Sequence, residues 1–203
     1  MSKILLVTSS PRGAESLSNK FAVDLATKLA KPEGSVTHLD LGANPIPHLD
    51  SVTTSAIRKT ADQRNAEEAV AADYSDKRVA ELMEADAVVL GTGLINFNIY
   101  SGLKSWIDNV ARAGLTFKYT ENGPVGLVTG KKVYVVLSSA GVYSQGPAAA
   151  LEHAVPYLKT ILAFLGLTDV EVIRIEGLAF GPEAAEKAIA AANAKVEELA
   201  SAA

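Results

Sequence analysis

The sequence contains no cysteine among its 203 residues. This absence excludes disulfides, zinc–thiolate sites, iron–sulfur clusters and thiol redox chemistry, so any transfer of electrons or hydride must use a bound cofactor. The three histidines, His38, His48 and His153, do not have the spacing of metal ligands. We therefore expect no metal site.

Long apolar runs and blocks of basic residues are also missing. No segment approaches the ~20 apolar residues of a membrane-spanning helix, and the apolar run at residues 4–7 is too short for a signal sequence. With 19 basic and 23 acidic residues, the chain has a net charge of −4 and no stripe of Lys and Arg that could neutralise nucleic-acid phosphates. We expect a soluble cytoplasmic protein that binds neither a membrane nor nucleic acid.

The residues that are present favour one α/β domain over residues 1–203. Hydrophobic residues make up 48% of the chain and charged residues 21%, which suits a single core of ordinary size. Short apolar runs predict strands over residues 4–8, 86–90, 133–137 and 170–175, and residues 36–41 alternate apolar and polar as an edge strand does. Each run is followed by a segment with helical spacing of its apolar residues.

The predicted helices cover a large part of the chain. The first follows residue 16 and ends before Pro32, and the others lie over residues 63–84, around 103–110, 151–165 and 182–200. In the helix at 63–84, the residues predicted to face the core are Val70, Tyr74, Val79, Leu82 and Met83. Residues 44–47, Asn-Pro-Ile-Pro, forbid regular structure because proline lacks a backbone donor and restrains its neighbour.

Alternating strands and helices predict a doubly wound, five-stranded parallel sheet with helices on both faces. The pattern alone leaves the strand order open. Residues 115–130 interrupt the alternation: Phe117 and Tyr119 alternate with polar residues before an Asn-Gly-Pro turn, so we predict an inserted hairpin. Ligands of such sheets bind at the carboxyl ends of the strands, which directs attention to the loops after the first, third and fourth strands of the sheet.

The loop after the first strand is rich in hydroxyl groups. Ser9, Ser10, Ser16 and Ser18 surround the start of the first helix. Because a helix N-terminus presents unpaired N–H groups and partial positive charge, a phosphate fits here without a lysine or a metal. The alternative is that Ser16 or Ser18 is only the N-cap of the helix. The nicotinamide fingerprint Gly-x-Gly-x-x-Gly is absent, and a lone Asp40 after the second strand is typical of a turn.

The other two loops combine small, apolar and amide residues. One contains Leu94, Ile95, Asn96, Phe97 and Asn98; the other reads Ser138, Ser139, Ala140 and Gly141. Apolar side chains can cover the faces of a flat heteroaromatic ring, while backbone groups and amides satisfy its edge. The alternative is that Ile95 and Phe97 only plug the end of the sheet.

Several longer segments, in order, resemble one family over essentially the whole chain. They are residues 43–47 (Ala-Asn-Pro-Ile-Pro), 96–99 (Asn-Phe-Asn-Ile), 110–117 (Val-Ala-Arg-Ala-Gly-Leu-Thr-Phe), 119–132, and Gly177 with 181–183 (Gly-Pro-Glu). On these residues the chain resembles the FMN-dependent NADH-azoreductases, which are also NADH:quinone oxidoreductases. The resemblance implies a flavodoxin-like fold with strand order 2-1-3-4-5.

The resemblance also implies a noncovalent FMN and NADH as electron donor. The FMN phosphate is expected on Ser10, Ser16, Leu17 and Ser18, and the ring against Leu94, Ile95, Asn96, Phe97, Ser138, Ser139, Ala140 and Gly141. In the family, Met-Tyr typically stands where this chain has Leu94-Ile95. We expect backbone contacts to preserve FMN binding there and the substrate-facing surface to differ.

The family is homodimeric, with each flavin pocket completed across the interface. By position, Tyr119 and Phe164 are candidates to line the partner's pocket, and Arg58 resembles a substrate-side arginine. The alternatives are that Phe164 is plain core and that Arg58 is a solvated surface charge. The implied reaction is a two-step, ping-pong transfer of two electrons from NADH to quinones and azo compounds.

Three alternative functions can be compared with this one. A flavodoxin-like electron carrier would hold FMN without oxidising NADH itself. A flavin-free nucleotide-binding regulator is a weaker alternative. A serine hydrolase is disfavoured because neither Ser138 nor Ser139 lies in a Gly-x-Ser-x-Gly motif.

Overall fold

A computed structural model describes residues 1–203 and contains one five-stranded sheet, one separate hairpin and six α-helices. The strands are β1 (Lys3–Thr8), β2 (Ser35–Asp40), β3 (Ala87–Gly93), β4 (Phe117–Thr120), β5 (Gly123–Gly126), β6 (Lys132–Ser138) and β7 (Asp169–Ile175). The helices are α1 (Leu17–Ala30), α2 (Ser51–Ala56), α3 (Ala66–Glu84), α4 (Ser101–Val110), α5 (Ala154–Leu165) and α6 (Pro182–Ala202). No helix has the length and apolar character needed to span a membrane.

The large sheet has the order β2-β1-β3-β6-β7, and every pair in it is parallel. Without the hairpin strands this is the predicted order 2-1-3-4-5, so the predicted doubly wound, flavodoxin-like sheet is confirmed. The register pairs Thr8 with Gly91 and Gly93 with Ser138. The carboxyl ends of β1, β3 and β6 therefore lie side by side.

Two apolar layers cover the sheet. Ile4 and Leu6 face α1 and α6, whereas Leu5 and Val7 face the layer that contains α3, α4 and α5. All four side chains are at most 3% exposed. Burial on both faces explains why the inner strands read as continuous apolar runs rather than as alternating ones.

The inserted hairpin is confirmed as β4 paired antiparallel with β5. It packs against the end of α5, where a Cβ on Gly126 would overlap the backbone nitrogen of Gly166. The ring of Phe117 lies 4.4 Å from that of Phe164. The absence of a side chain at Gly126 is what allows this close backbone approach.

One helix was not predicted. Helix α2 has only six residues, so it carries no readable apolar period; Asp50 caps it by accepting a hydrogen bond from the Thr53 N–H at 2.7 Å. The segment is fastened to α3 through Glu68, which accepts hydrogen bonds from Ser55 and Lys59. The Lys59 bond, with those from the Asn65 N–H and Ser55, lowers the pKa of Glu68 to about 2.

The predicted inner face of α3 was wrong at two positions. Val70 is 78% exposed and Met83 is 42% exposed. The buried stripe instead includes Ser75, whose hydroxyl donates to the Asn109 carbonyl and accepts from Arg112. Because Ser75 is polar, a search for apolar residues at helical spacing does not assign it to the buried face. The predicted start of α5 was also early, because Pro147–Leu151 forms a separate 3₁₀ turn.

Candidate functional site

A cavity of about 490 Å³ lies where β1, β3 and β6 end. Its volume is within the range usual for small-molecule sites, about 300–1,000 Å³. Its lining comes from the three predicted loops and from a fourth segment: Ser10, Pro11, Arg12, Glu15, Ser16, Leu17, Gly93, Leu94, Ile95, Ser138, Ser139, Ala140, Leu178, Ala179 and Ala185. The predicted meeting of three loops at one edge of the sheet is therefore observed.

The hydroxyl-rich loop brings the N-terminus of α1 to the cavity. Ser16 is the N-cap, as the alternative interpretation predicts: its Oγ accepts a hydrogen bond from the Asn19 N–H at 3.3 Å. The same Oγ lies 2.9 Å from the Oγ of Ser18. The N–H groups of Leu17 and Ser18 donate to no acceptor in the protein. Capping and anion binding are compatible here, because free N–H groups remain beside the cap.

The loop after β3 is held in an unusual backbone conformation. Ile95 and Asn98 exchange two backbone hydrogen bonds of 2.9 and 3.0 Å, which close a tight turn. Within it, Asn96 and Phe97 have φ angles of +49° and +67°, in the left-handed region that favours glycine. Non-glycine residues held there cluster at functional sites. The Phe97 carbonyl accepts from the His153 N–H at 2.9 Å, which fixes the far side of the turn.

The loop after β6 is held by a fourth segment that the sequence interpretation missed. Backbone N–H groups of Gly177, Leu178 and Ala179 donate to the carbonyls of Gly141, Ser139 and Ala140. These bonds bring Leu178 and Ala179 into the cavity wall. A usable signal was present in the sequence: Gly177 and Gly181 flank the segment, and both adopt positive φ angles.

Charged side chains that are buried or partly buried hold the loop after β6 in place. The carboxylate of Glu152 accepts from the Val155 N–H at the start of α5 and from the Arg174 guanidinium, both at 2.8 Å. A Glu176 oxygen accepts from the Tyr143 N–H at 2.8 Å. Arg174 lies between the two carboxylates and so links β7 to the loop after β6.

Most of the predicted cofactor residues lie at the cavity, and some lie beside it. Those in its lining are Ser10, Ser16, Leu17, Leu94, Ile95, Ser138, Ser139 and Ala140. Ser18 is fully buried and lies behind Ser16. Asn96, Phe97 and Gly141 are outside the lining. Phe97 is 45% exposed, which does not fit the alternative that it plugs the end of the sheet.

The three predicted substrate-side residues are not brought to the cavity within one chain. Arg58 is exposed and lines a separate surface depression with Leu49 and Lys59. Tyr119 is 74% exposed on the hairpin. Its ring lies 5.5 Å from that of the buried Phe117, which in turn contacts Phe164, half-buried against the core. The three rings form one aromatic surface of which Tyr119 is the largely exposed part.

The second-strand aspartate is a turn residue, as expected. The Oδ1 of Asp40 accepts hydrogen bonds from the N–H groups of Gly42 and Ala43 at 3.0 and 3.2 Å. This carboxylate is therefore engaged in the turn, in agreement with the absence of a nicotinamide fingerprint.

The cavity combines two chemical environments. Buried hydroxyls and unpaired N–H groups at the α1 N-terminus suit a phosphate group. Leu94, Ile95 and Leu178 provide an apolar wall near a rim of backbone amides, which suits a flat heterocycle. A phosphorylated planar cofactor fits both.

Comparisons with known proteins agree with this geometry. Residues 2–200 match a family model described as having a flavodoxin-like fold. The chain is 75% identical to the FMN-dependent NADH:quinone oxidoreductase of Agrobacterium fabrum, with both chains covered completely. It superposes on a Bacillus anthracis azoreductase with a TM-score of 0.90 at 36% identity, covering 98% of this chain and 99% of the other. An FMN complex of a B. anthracis FMN-dependent NADH-azoreductase gives a TM-score of 0.88 at 29% identity, covering 99% and 98%.

The position of the α1 N-terminus depends on a glycine in β3. A Cβ on Gly91 would lie 2.8 Å from the Cβ of Ala22 and 3.0 Å from the Ser18 carbonyl oxygen. We expect Gly91→Ala to lower the free energy of unfolding by about 1–3 kcal/mol, because the helix must move off the sheet. Urea denaturation without added ligand measures this.

Gly93→Ala in the same strand is the matched control. Its added methyl would meet nothing closer than the Ser138 Oγ at 3.8 Å. Its stability should be unchanged or slightly higher, since alanine restricts the unfolded chain more than glycine does. Equal stability of the two variants would contradict the close packing of α1 on β3.

Proposed function

Because the chain belongs to the FMN-dependent NADH:quinone oxidoreductases, a family with the flavodoxin-like fold, we propose that it catalyses two-electron reduction of quinones and azo compounds by NADH. The single observation that carries this proposal is the meeting of a helix N-terminus and an apolar, amide-rimmed wall in one cavity. The name of the A. fabrum relative supplies the donor, the cofactor and the quinone acceptor. The solved azoreductases supply the second class of acceptor.

The residues of the cavity fit FMN. The phosphate would be held by the hydroxyls of Ser10 and Ser16 and by the free N–H groups of Leu17 and Ser18. The Ser18 hydroxyl supports Ser16 from behind through their 2.9 Å contact. The ring would be held between the turn at residues 94–97 and the loop at residues 138–141.

FMN held by these residues would supply the redox chemistry, which is acceptance of a hydride from NADH and delivery of two electrons to the acceptor. No side chain has to act as a nucleophile, so the task of the protein is to position and to shield. The turn containing Asn96 and Phe97 is fixed by backbone hydrogen bonds on both sides. Its amide groups are therefore preorganised and need no rearrangement when charge develops nearby. The three loops form one cavity, and we propose that donor and acceptor use it in turn.

The aliphatic pair Leu94-Ile95 belongs to the surface that would face substrate. Both side chains line the cavity. The backbone of this pair is held by backbone hydrogen bonds, from the Leu94 N–H to the Ser138 carbonyl at 2.8 Å and from the Ile95 N–H to the Asn98 carbonyl. These bonds do not depend on which side chains stand at positions 94 and 95. We propose that this pair influences the choice of acceptor and leaves cofactor binding intact.

We also propose a homodimer in which the aromatic surface of one chain completes the cavity of the other. The supporting observation is that the Tyr119 ring packs edge-on against Phe117 and is 74% exposed, so its own chain leaves most of it uncovered. Arg58 is likewise exposed and free to face a partner.

We expect sedimentation equilibrium to give twice the chain mass, and Tyr119→Ala to impair acceptor reduction more than FMN binding. A monomeric mass for the active enzyme would contradict this.

The cytoplasm, where NADH is available, is the proposed site of action.

Anaerobic spectroscopy tests the proposed function directly. We expect the purified protein to bind FMN and turn yellow, NADH to bleach it rapidly, and a benzoquinone to restore the colour. An electron carrier would bind FMN but would not be bleached rapidly by NADH. A protein that stayed colourless after FMN was added would overturn the cofactor assignment.

The phosphate assignment predicts a specific loss in Ser16→Ala/Ser18→Ala. The Ser16 hydroxyl would give the phosphate one charge-assisted hydrogen bond, worth about 1.5–3 kcal/mol, and the Ser18 hydroxyl supports it. The free energy of FMN binding should therefore become less favourable by about that amount. Fluorescence titration of FMN measures this. Asp50→Ala is the control, because it removes the N-cap of α2 and lies outside the cavity. FMN affinity should survive that change; an unaltered affinity in the double serine variant would remove the assignment.

A further inference from the structure

Arg12 and Glu15 are the only charged residues in the cavity lining. They lie on the wall that also carries Ser10 and Ser16, beside the α1 N-terminus. An Arg12 Nη2 atom is 3.8 Å from a Glu15 Oε2 atom, and the two side chains are 72% and 82% exposed. The cation and the anion of the cavity are therefore paired with each other.

An acidic side chain at a phosphate-binding wall requires an explanation. A carboxylate there repels a phosphate, which carries close to two negative charges at neutral pH. Glu15 gains from the partial positive charge of the nearby helix N-terminus, and so competes with phosphate for the same field. Its pairing with Arg12 leaves the wall with no net charge from side chains.

The backbone of Arg12 is anchored while its side chain is free to turn. The Arg12 N–H donates to the Ser10 Oγ at 3.3 Å, and the Arg12 carbonyl accepts from the Glu15 N–H at 3.2 Å. The guanidinium makes no hydrogen bond. The one charged group near it is the Glu15 carboxylate, whose distance of 3.8 Å is too long for a hydrogen bond. An ion pair this exposed and this long contributes little.

We propose that Arg12 exchanges partners when the cofactor binds, leaving Glu15 for the phosphate, and thereby makes the protein select phosphorylated flavin over riboflavin. This rests on the proposed function. The exchange is favourable because a guanidinium–phosphate contact is charge-assisted and can be bidentate, whereas the pair it replaces is weak. Glu15 sets the strength of the selection, because it holds Arg12 in the absence of phosphate.

Titrations of FMN and riboflavin into flavin-free protein, followed by flavin fluorescence, test the proposal. Arg12→Gln should weaken FMN binding about tenfold, the lower range for a charge-assisted hydrogen bond at an exposed site. Riboflavin binding should change less than about twofold, because riboflavin has no phosphate for the guanidinium to contact. Lys20→Gln is the control. It also removes one positive charge, but from the first turn of α1, and Lys20 lies outside the cavity lining.

The exchange of partners is tested by Glu15→Gln alone and combined with Arg12→Gln. Glu15→Gln should tighten FMN binding several-fold when Arg12 is present and much less when it is absent, since coupling between two positions indicates a direct interaction. Equal tightening in both backgrounds would mean simple repulsion by Glu15 and would overturn the exchange.

Other outcomes also decide between explanations. Equal weakening of FMN and riboflavin by Arg12→Gln would show that Arg12 holds the loop and does not select phosphate. A loss in Lys20→Gln as large as that in Arg12→Gln would reduce the effect to net charge. If the unmodified protein bound no FMN, the proposed function itself would fail, which is a different result from an Arg12→Gln variant that binds FMN normally.

Discussion

The parallel pairing of β3 with β1 on one side and β6 on the other brings together the three loops that form most of the cavity. Thr8 is opposite Gly91, and Gly93 is opposite Ser138, so three chain segments leave the sheet at neighbouring points. Residues distant in sequence, such as Ser16, Ile95 and Ala140, then share one cavity.

A glycine near the end of β3 allows α1 to pack closely on the sheet at the point where the strands end, next to the cavity. Without a side chain at Gly91, the first turns of α1 lie against the sheet. The helix therefore begins at the cavity, with the N–H groups of Leu17 and Ser18 unpaired. The helix field weakens beyond its first turn, so anion binding requires this close placement. The packing of α1 and the chemistry of the cavity are therefore one structural feature.

The sequence predicts the parts of this arrangement that follow from apolar patterns. The runs that became β1, β3 and β6 are buried on both faces, and the segment 115–130 breaks their alternation with helices, so the sheet and the hairpin were both readable. Helix α2 was not readable, because one turn and a half gives no period. Leu178 and Ala179 were missed because backbone hydrogen bonds between distant loops, which no side-chain pattern encodes, place them in the wall.

Outside the cavity, two buried guanidinium groups hold the end of α2 in place. Asp76 accepts hydrogen bonds from Arg64 and Arg112; burial raises the pKa of this carboxyl, but the two guanidinium groups lower it by more. Arg64 and Arg112 also donate to the carbonyls of Ala56 and Ile57, next to Arg58. A buried ion pair is weak evidence for stability, yet its geometry restricts the positions its partners can take. Directional hydrogen bonds therefore hold the backbone of the segment that carries Arg58, whereas the Arg58 side chain is exposed.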